Sequence, residues 1–214
     1  MCGRSQFRKV PEIIEEFGPA RVGDIVPGGR GVSPRSRRRE PLGNWAIVDE
    51  AFPKSVVPGL VLHKGERVIS AFSWAFFDDG TGHNARLETA PDRPAWRDAY
   101  SSARLVLPLA RFVEGRAWFS DPGGGPLAVA GLYRLGALPA GGPPRRATML
   151  TRPADDVVSP FHERMPVILP SDLIAPWLAG EAMPIDRLLT ESPVLRAEPL
   201  TRPGPPPPEQ PSLL

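Results

Sequence analysis

From about residue 57 onward the chain is a succession of short apolar or alternating runs: GLVLH, RVISAFSWAFF, ARLVLPLARFV, RAWFSD, LAVAGLYRL, RATMLT and RMPVIL, separated by Gly, Pro and Asp. Runs this short, rich in Val, Leu and Phe and closed by residues that break regular structure, are strand signals. Helical signals are few. VPEIIEEFG (10–18) groups Ile13, Ile14 and Phe17 on one face, with Pro11 suited to the first turn and Gly18 to the end. PAWRDAYSS (94–102) and SDLIAPWLAG (171–180) are the best later helices, the second with Ser171 as N-cap and Gly180 as C′ residue. Seven or so strands with few helices predict an α+β class: a mainly antiparallel, barrel-like β domain with a few short peripheral helices.

Two stretches fall outside this pattern. Residues 21–45, RVGDIVPGGRGVSPRSRRREPLGNW, read as an irregular loop, whose RSRRR (35–39) is either a DNA-contacting patch or a solvated basic loop. The terminal RPGPPPPEQPSLL cannot join a sheet interior or a helix and reads as polyproline-like or disordered. The expected organisation is one domain over 1–198 and a proline-rich tail over 199–214, which suits a chain of 214 residues. A net charge of +2 is too small for binding nucleic acid by charge alone. No apolar run is long enough to span a bilayer and no secretory signal is evident, so the expected location is cytoplasmic.

The single cysteine, Cys2, rules out an internal disulfide framework and a multi-cysteine zinc site. Removal of Met1 is favoured when the next side chain is small, and it would make Cys2 the N-terminal residue. An α-amine titrates at about 7.7–8.0, so part of it is neutral and nucleophilic near neutrality. It can condense with an aldehyde to an imine, and the adjacent thiol can close a thiazolidine ring in an intramolecular step. The alternative is a small residue that happens to follow Met.

Three further stretches carry candidate chemistry. In GHNARLETAPDRPAWRDA (82–99), strand alternation would put Asn84 and Arg86 on one side, the amide to orient a carbonyl or amine and the guanidinium to hold a phosphate. The alternative is a turn-forming Asn beside a solvated Arg. Glu114 interrupts an apolar run, and a carboxyl group in an apolar site has a raised pKa suited to general acid or base work; otherwise it is a strand-end residue beside Gly115. His162, just before MPVIL, has the most defined setting of the three histidines and suits proton shuttling, unless it is a loop residue paired to backbone.

MCGR at the start, then NAR-ET, R-x-L-V-x-P-x-x-x-F-x-E, a -LT- stretch and H-x-RMPV-L come in the order and approximate spacing of the SRAP family (SOS-response-associated peptidase, abasic-site processing proteins). RPAWRDA (93–99), LAVAGLYR (127–134) and ATMLTRPAD (147–155) also resemble its intervening segments, so the resemblance runs from Cys2 to about Trp177. It implies a sensor of abasic sites in single-stranded DNA that cross-links to the lesion as a thiazolidine through Cys2. It further implies Asn84, Glu114 and His162 as the rest of the active site, with Arg4 and Arg86 on DNA phosphates. Thr151 falls where the family has a hydroxyl near the DNA backbone. Two segments depart from the pattern. The usual WGL-P-W is here SWAFFDDG (73–80), in which Trp74 keeps an aromatic for DNA contact, and the usual GFYEW is RFVEG. These departures bear on base stacking and leave the covalent chemistry intact.

The resulting expectation is a monomeric protein, nucleoid-associated when bound to DNA, that needs no metal or cofactor. One rival is an N-terminal-nucleophile amidohydrolase or cysteine peptidase using the same Cys2. The other is a non-catalytic single-stranded DNA-binding module.

Overall fold

A computed structural model describes residues 3–23, 50–135 and 145–200. Cys2, nearly all of the 21–45 loop with its RSRRR patch, and the tail from residue 201 lie outside the described residues. The chain enters through β1 (Ser5–Phe7), α1 (Val10–Phe17), β2 (Arg21–Val22) and β3 (Glu50–Ala51). A hairpin of β4 (Val56–His63) and β5 (Glu66–Ser73) follows, then β6 (Asn84–Arg86) and α2 (Arg97–Ser102). The long strands β7 (Arg104–Glu114), β9 (Leu127–Leu135) and β10 (Arg145–Pro153) come next, with β8 (Ala117–Ser120) between the first two. Last are β11 (Arg164–Pro166), α3 (Ser171–Ala179), α4 (Ile185–Thr190) and β12 (Arg196–Pro199).

Each of the seven apolar runs contains a strand, and the described residues form twelve strands in one sheet. The other five, β1, β2, β3, β6 and β12, have two to four residues each, and of these only β6 was anticipated, through the Asn84–Arg86 alternation. Such lengths are too short for apolar alternation to register. The sheet curls through β10, β5, β4, β7 and β9 and back to β10. This ring is partial and not a true barrel, because the β5–β10 and β4–β7 contacts are single register pairs, Ser73 with Arg146 and Leu60 with Val106. Most pairings are antiparallel; β2–β5, β5–β10 and β6–β10 are parallel.

The sheet is apolar on both faces, which is why its long strands read as near-continuous hydrophobic runs. Leu105, Leu107 and Leu109 of β7 pack with Phe72, Trp74, Phe112, Phe119 and Met149 on one face. Val106, between them, packs with Leu60, Ile69 and Leu132 on the other, where α1 and α3 add Ile13, Leu173 and Trp177. Period-two alternation thus sorts neighbours into two cores.

Helix ends follow local chemistry with one correction. Gly180 closes α3 in the left-handed conformation (φ 76°) as anticipated. Ser171 is not the N-cap: Pro170 takes that position, no side chain caps the helix, and the Pro170 carbonyl accepts from the Leu173 N–H at 2.9 Å. The run RVISAFSWAFF is also shorter as a strand than its apolarity suggests. It leaves the sheet after Ser73, and Phe76 and Phe77 turn to pack on Trp96.

At Gly131 there is no room for a side chain between β9 and β10: a Cβ there would lie 2.7 Å from the Thr148 carbonyl oxygen and 3.4 Å from Leu105 and Leu107. Backbone cannot yield as a flexible side chain can. Gly131→Ala is therefore expected to lower the melting temperature by roughly 2–10 °C, from an overpacking cost of ~1–3 kcal/mol. Thermal denaturation followed by circular dichroism checks this; an unchanged melting temperature contradicts the close approach.

Candidate active site

The end of β10 holds two short strands apart. On one side β6 runs parallel to it, with Asn84 opposite Met149 and Arg86 opposite Thr151. On the other β11 runs antiparallel, with Pro166 opposite Thr151 and Arg164 opposite Pro153. Side chains alternate along β6, so Ala85 is buried while Asn84 and Arg86 turn to the same, more open side. Between these walls lies a cleft of about 270 Å³ lined by Asn84, Arg86, Thr151, His162, Glu163 and Arg164.

Arg164 ties the walls together. Its guanidinium donates to both carboxylate oxygens of Glu88, the Nη2–Oε2 bond being 2.9 Å. The same Nη2 reaches the Thr151 carbonyl at 2.7 Å and the Thr151 hydroxyl at 3.2 Å. That hydroxyl in turn donates to the Ala85 carbonyl at 3.2 Å. The fork geometry suits Arg and not Lys, and its bonds hold the Glu88 carboxyl below its ordinary pKa. Sequence reading assigned no role to Glu88 or Arg164, which lie 76 residues apart. Their motifs carried the family resemblance, but only the fold puts the two side chains in contact.

Glu114 ends β7 and is 2 % exposed at its side chain. Its Oε2 lies 3.7 Å from Nδ1 of His162. The backbone N–H of Arg164 donates to the same Nδ1 at 2.9 Å. The Arg164 carbonyl oxygen lies 3.1 Å from the same Nδ1, so this ring nitrogen accepts from the amide in one tautomer and donates to the carbonyl in the other. Burial raises the Glu114 pKa, while positive charge from the chain's amino terminus and from His162 pulls the other way. A carboxyl with a raised pKa beside an imidazole is an arrangement able to give and take protons near neutrality.

The chain's start approaches the same place. The Arg4 carbonyl accepts from the Val113 N–H at 3.0 Å, one residue before Glu114, and β1 continues antiparallel along β7 with Ser5 opposite Phe112. Arg4 itself donates to Glu50 at 2.6 Å and lies over the Trp118 ring at 5.1 Å. Arg111 covers that ring too, at 4.2 Å.

Asn84, Arg86 and His162 thus line one cleft, while the buried Glu114 meets it only through His162, with the Arg4 backbone next to Glu114. Two expected DNA contacts do not fit their positions. Trp74 is fully buried, its indole N–H bonded to the His83 carbonyl at 2.9 Å, and it offers no face to a base. Thr151 is 2 % exposed with its hydroxyl engaged on both sides, so it braces the cleft instead of meeting a DNA backbone. A larger groove of about 580 Å³ lies elsewhere, between Phe17, Leu127, Ile174 and Glu191, and neither cysteine nor histidine lines it.

The family described as SOS response associated peptidase (SRAP) matches residues 1–201. This chain belongs to the SRAP family. Relatives include the abasic site processing protein YoaM of Bacillus subtilis (strain 168), 32% identical over 196 residues that cover 83% of this chain and 79% of YoaM. The abasic site processing protein YoqW of the same organism is 26% identical over 198 residues, covering 83% and 80%. A solved structure from Bordetella bronchiseptica superposes with a TM-score of 0.72 at 21% identity over 94% of this chain and 100% of that one. A phage-related protein from that organism gives 0.61 at 20% identity, over 94% and 95%. The solved structures share this chain's mainly β fold.

The buried carboxyl has a consequence for stability. Its folded pKa is raised above the ordinary 4.5, so the folded state holds the proton more tightly than the unfolded state. The associated stability is complete below the unfolded pKa and is lost as pH rises through the folded value. Glu114→Gln keeps the shape without the charge. Urea denaturation should find this variant more stable than the wild type at pH 8, with the difference vanishing near pH 4. Equal gains at both pH values would mean that burial does not set the Glu114 titration.

Proposed function

We propose that the protein recognises abasic sites in single-stranded DNA and joins them covalently through Cys2 once Met1 is removed. The observation that supports this best is the Glu114–His162 pair at 3.7 Å, facing a cleft whose other wall carries Asn84 and Arg86. The β1–β7 register brings the chain to within two residues of Cys2 beside Glu114. The relatives YoaM and YoqW are abasic site processing proteins, which supports the same lesion here.

In this reading the Cys2 α-amine attacks the C1′ aldehyde of the ring-opened deoxyribose. The carbinolamine loses water to give an imine. The thiol then adds to the imine carbon, its proton passing to the nitrogen, and the product is a thiazolidine. Glu114 in its protonated form, which burial favours, supplies a proton to the departing hydroxyl, and His162 is its partner acid or base. Asn84 holds the Cys2 terminus or the sugar oxygen, and the exposed Arg86 meets a phosphate at the cleft mouth.

Incubation with a single-stranded abasic oligonucleotide, followed by intact mass, should give an adduct with loss of one water that is absent in Cys2→Ala. An untrimmed extension before Cys2 should also abolish it, because the imine forms on the α-amine. Glu114→Gln should slow single-turnover adduct formation by about a hundredfold, and His162→Ala should slow it less. A peptidase or a non-covalent binder gives no adduct in any variant, and that result rejects the reading.

Arg86→Ala should weaken binding to single-stranded DNA irrespective of base sequence. It should also lower the slope of log affinity against log salt by roughly 0.7. Arg86→Lys should recover only part of the affinity, since a point charge replaces a fork. An unchanged slope removes Arg86 from the phosphate contact.

A further inference from the structure

Phe161 is 42 % exposed and stands one residue before His162. An exposed aromatic beside a catalytic group calls for a reason, and its surroundings show that it is held there. The turn leading to it is closed by Asp155, whose carboxylate accepts from the N–H groups of Val157 and Val158 at 3.0 Å each. Val158 is fully buried and anchors the turn, and its carbonyl accepts from the N–H groups of Phe161 at 2.9 Å and His162 at 3.1 Å. The Phe161 ring meets Phe119 edge to face, with centroids 5.4 Å apart at 79°. Its backbone fills the space over Gly115, the residue after Glu114: a Cβ on Gly115 would lie 2.7 Å from the Phe161 carbonyl oxygen. Gly115 also has a φ of 57°, so its missing side chain serves both the turn and this contact. Phe161 is therefore fixed at one edge by Phe119, its carbonyl packed on the residue after Glu114 and its chain neighbour His162 in the cleft wall, with part of its surface open.

With Trp74 buried, the segment expected to supply an aromatic for base stacking does not do so, while Phe161 is open beside the site. Base–aromatic stacking is tolerant of sequence because every base has a π-face. At an abasic position the lost base leaves its neighbour with one face uncovered, and an apolar side chain can occupy that gap. Arg116, exposed on the turn that also carries Gly115, places a cation nearby for the backbone of such a nucleotide.

We propose that Phe161 stacks on the base flanking the abasic nucleotide and so positions the lesion over Glu114 and His162. This assignment deepens the abasic-site reading and rests on it. It makes Phe161 a positioning residue, with no part in bond making.

The test uses two single-stranded oligonucleotides with a central tetrahydrofuran, a stable abasic analogue: one flanked by adenines, the other flanked by further tetrahydrofurans. Binding is measured by fluorescence anisotropy. The wild type should bind the adenine-flanked strand about tenfold more tightly. Phe161→Ala should lose that advantage and bind the baseless strand as the wild type does. Phe161→Trp should retain the advantage. Phe161→Leu keeps an apolar contact to Phe119, so it should melt as the wild type does and still lose most of the flank effect. A Phe161→Ala variant weakened equally on both strands, or on neither, overturns the assignment. Adduct formation on a true abasic strand is followed in parallel by intact mass. Normal adduct without a flank effect overturns only the stacking role; absence of both binding and adduct in the wild type overturns the reading of the site itself, and this proposal with it.

Discussion

Thr151 is the point at which the two halves of the cleft are fastened. Its hydroxyl donates to the Ala85 carbonyl beside Asn84 and accepts from Arg164, two residues after His162. Its backbone pairs with Arg86 on one edge and Pro166 on the other. A single buried side chain therefore sets the distance between an amide, a guanidinium and an imidazole contributed by segments almost 80 residues apart. Such a network is worth having only when each member is satisfied, because an unmet polar group in a low dielectric is costly. The Arg164 guanidinium spreads its Nη donors over Glu88 and Thr151, while its buried Nε has no hydrogen-bond partner among the described residues.

The strands that build this frame were legible in the sequence for a simple reason: both faces of the sheet are buried, so β4, β5, β7 and β9 are long and mostly apolar. β10 shows as the mostly apolar ATML core of a run whose Arg and Thr side chains are also buried. What was not legible is the ring. Closure depends on single register pairs at Ser73–Arg146 and Leu60–Val106, and no periodicity records a contact of one residue. Helix α4 was likewise missed, since six residues give less than two turns of pattern.

The candidate site was legible in part. Asn84 and Arg86 share a side because alternation in a strand guarantees it. Glu114 could be singled out because a carboxylate in an apolar run must be either an edge or a buried acid, and it is buried. Trp74 and Thr151 went astray for opposite reasons. An aromatic between apolar neighbours reads the same whether it faces a core or a ligand, and a threonine hydroxyl gives no sign of whether its partner is a backbone carbonyl or solvent. Both are decided by burial, which depends on tertiary packing rather than on neighbours in sequence. The Glu88–Arg164 pair was invisible for the same reason.

The β7–β8 hairpin is bordered by the first and the last of the described strands. β1 lies along β7, and β12 lies along β8 with Pro199 opposite Ala117. Leu200 then bonds through its N–H to the Arg116 carbonyl at 2.8 Å, at the turn that follows Glu114. The Leu200 amide thus sits at the turn that carries Gly115, which puts the proline-rich residues 201–214 in direct covalent continuity with the strand pair bordering Glu114. Tension or bulk applied to that end of the sequence is felt first at the hairpin that holds the buried carboxyl.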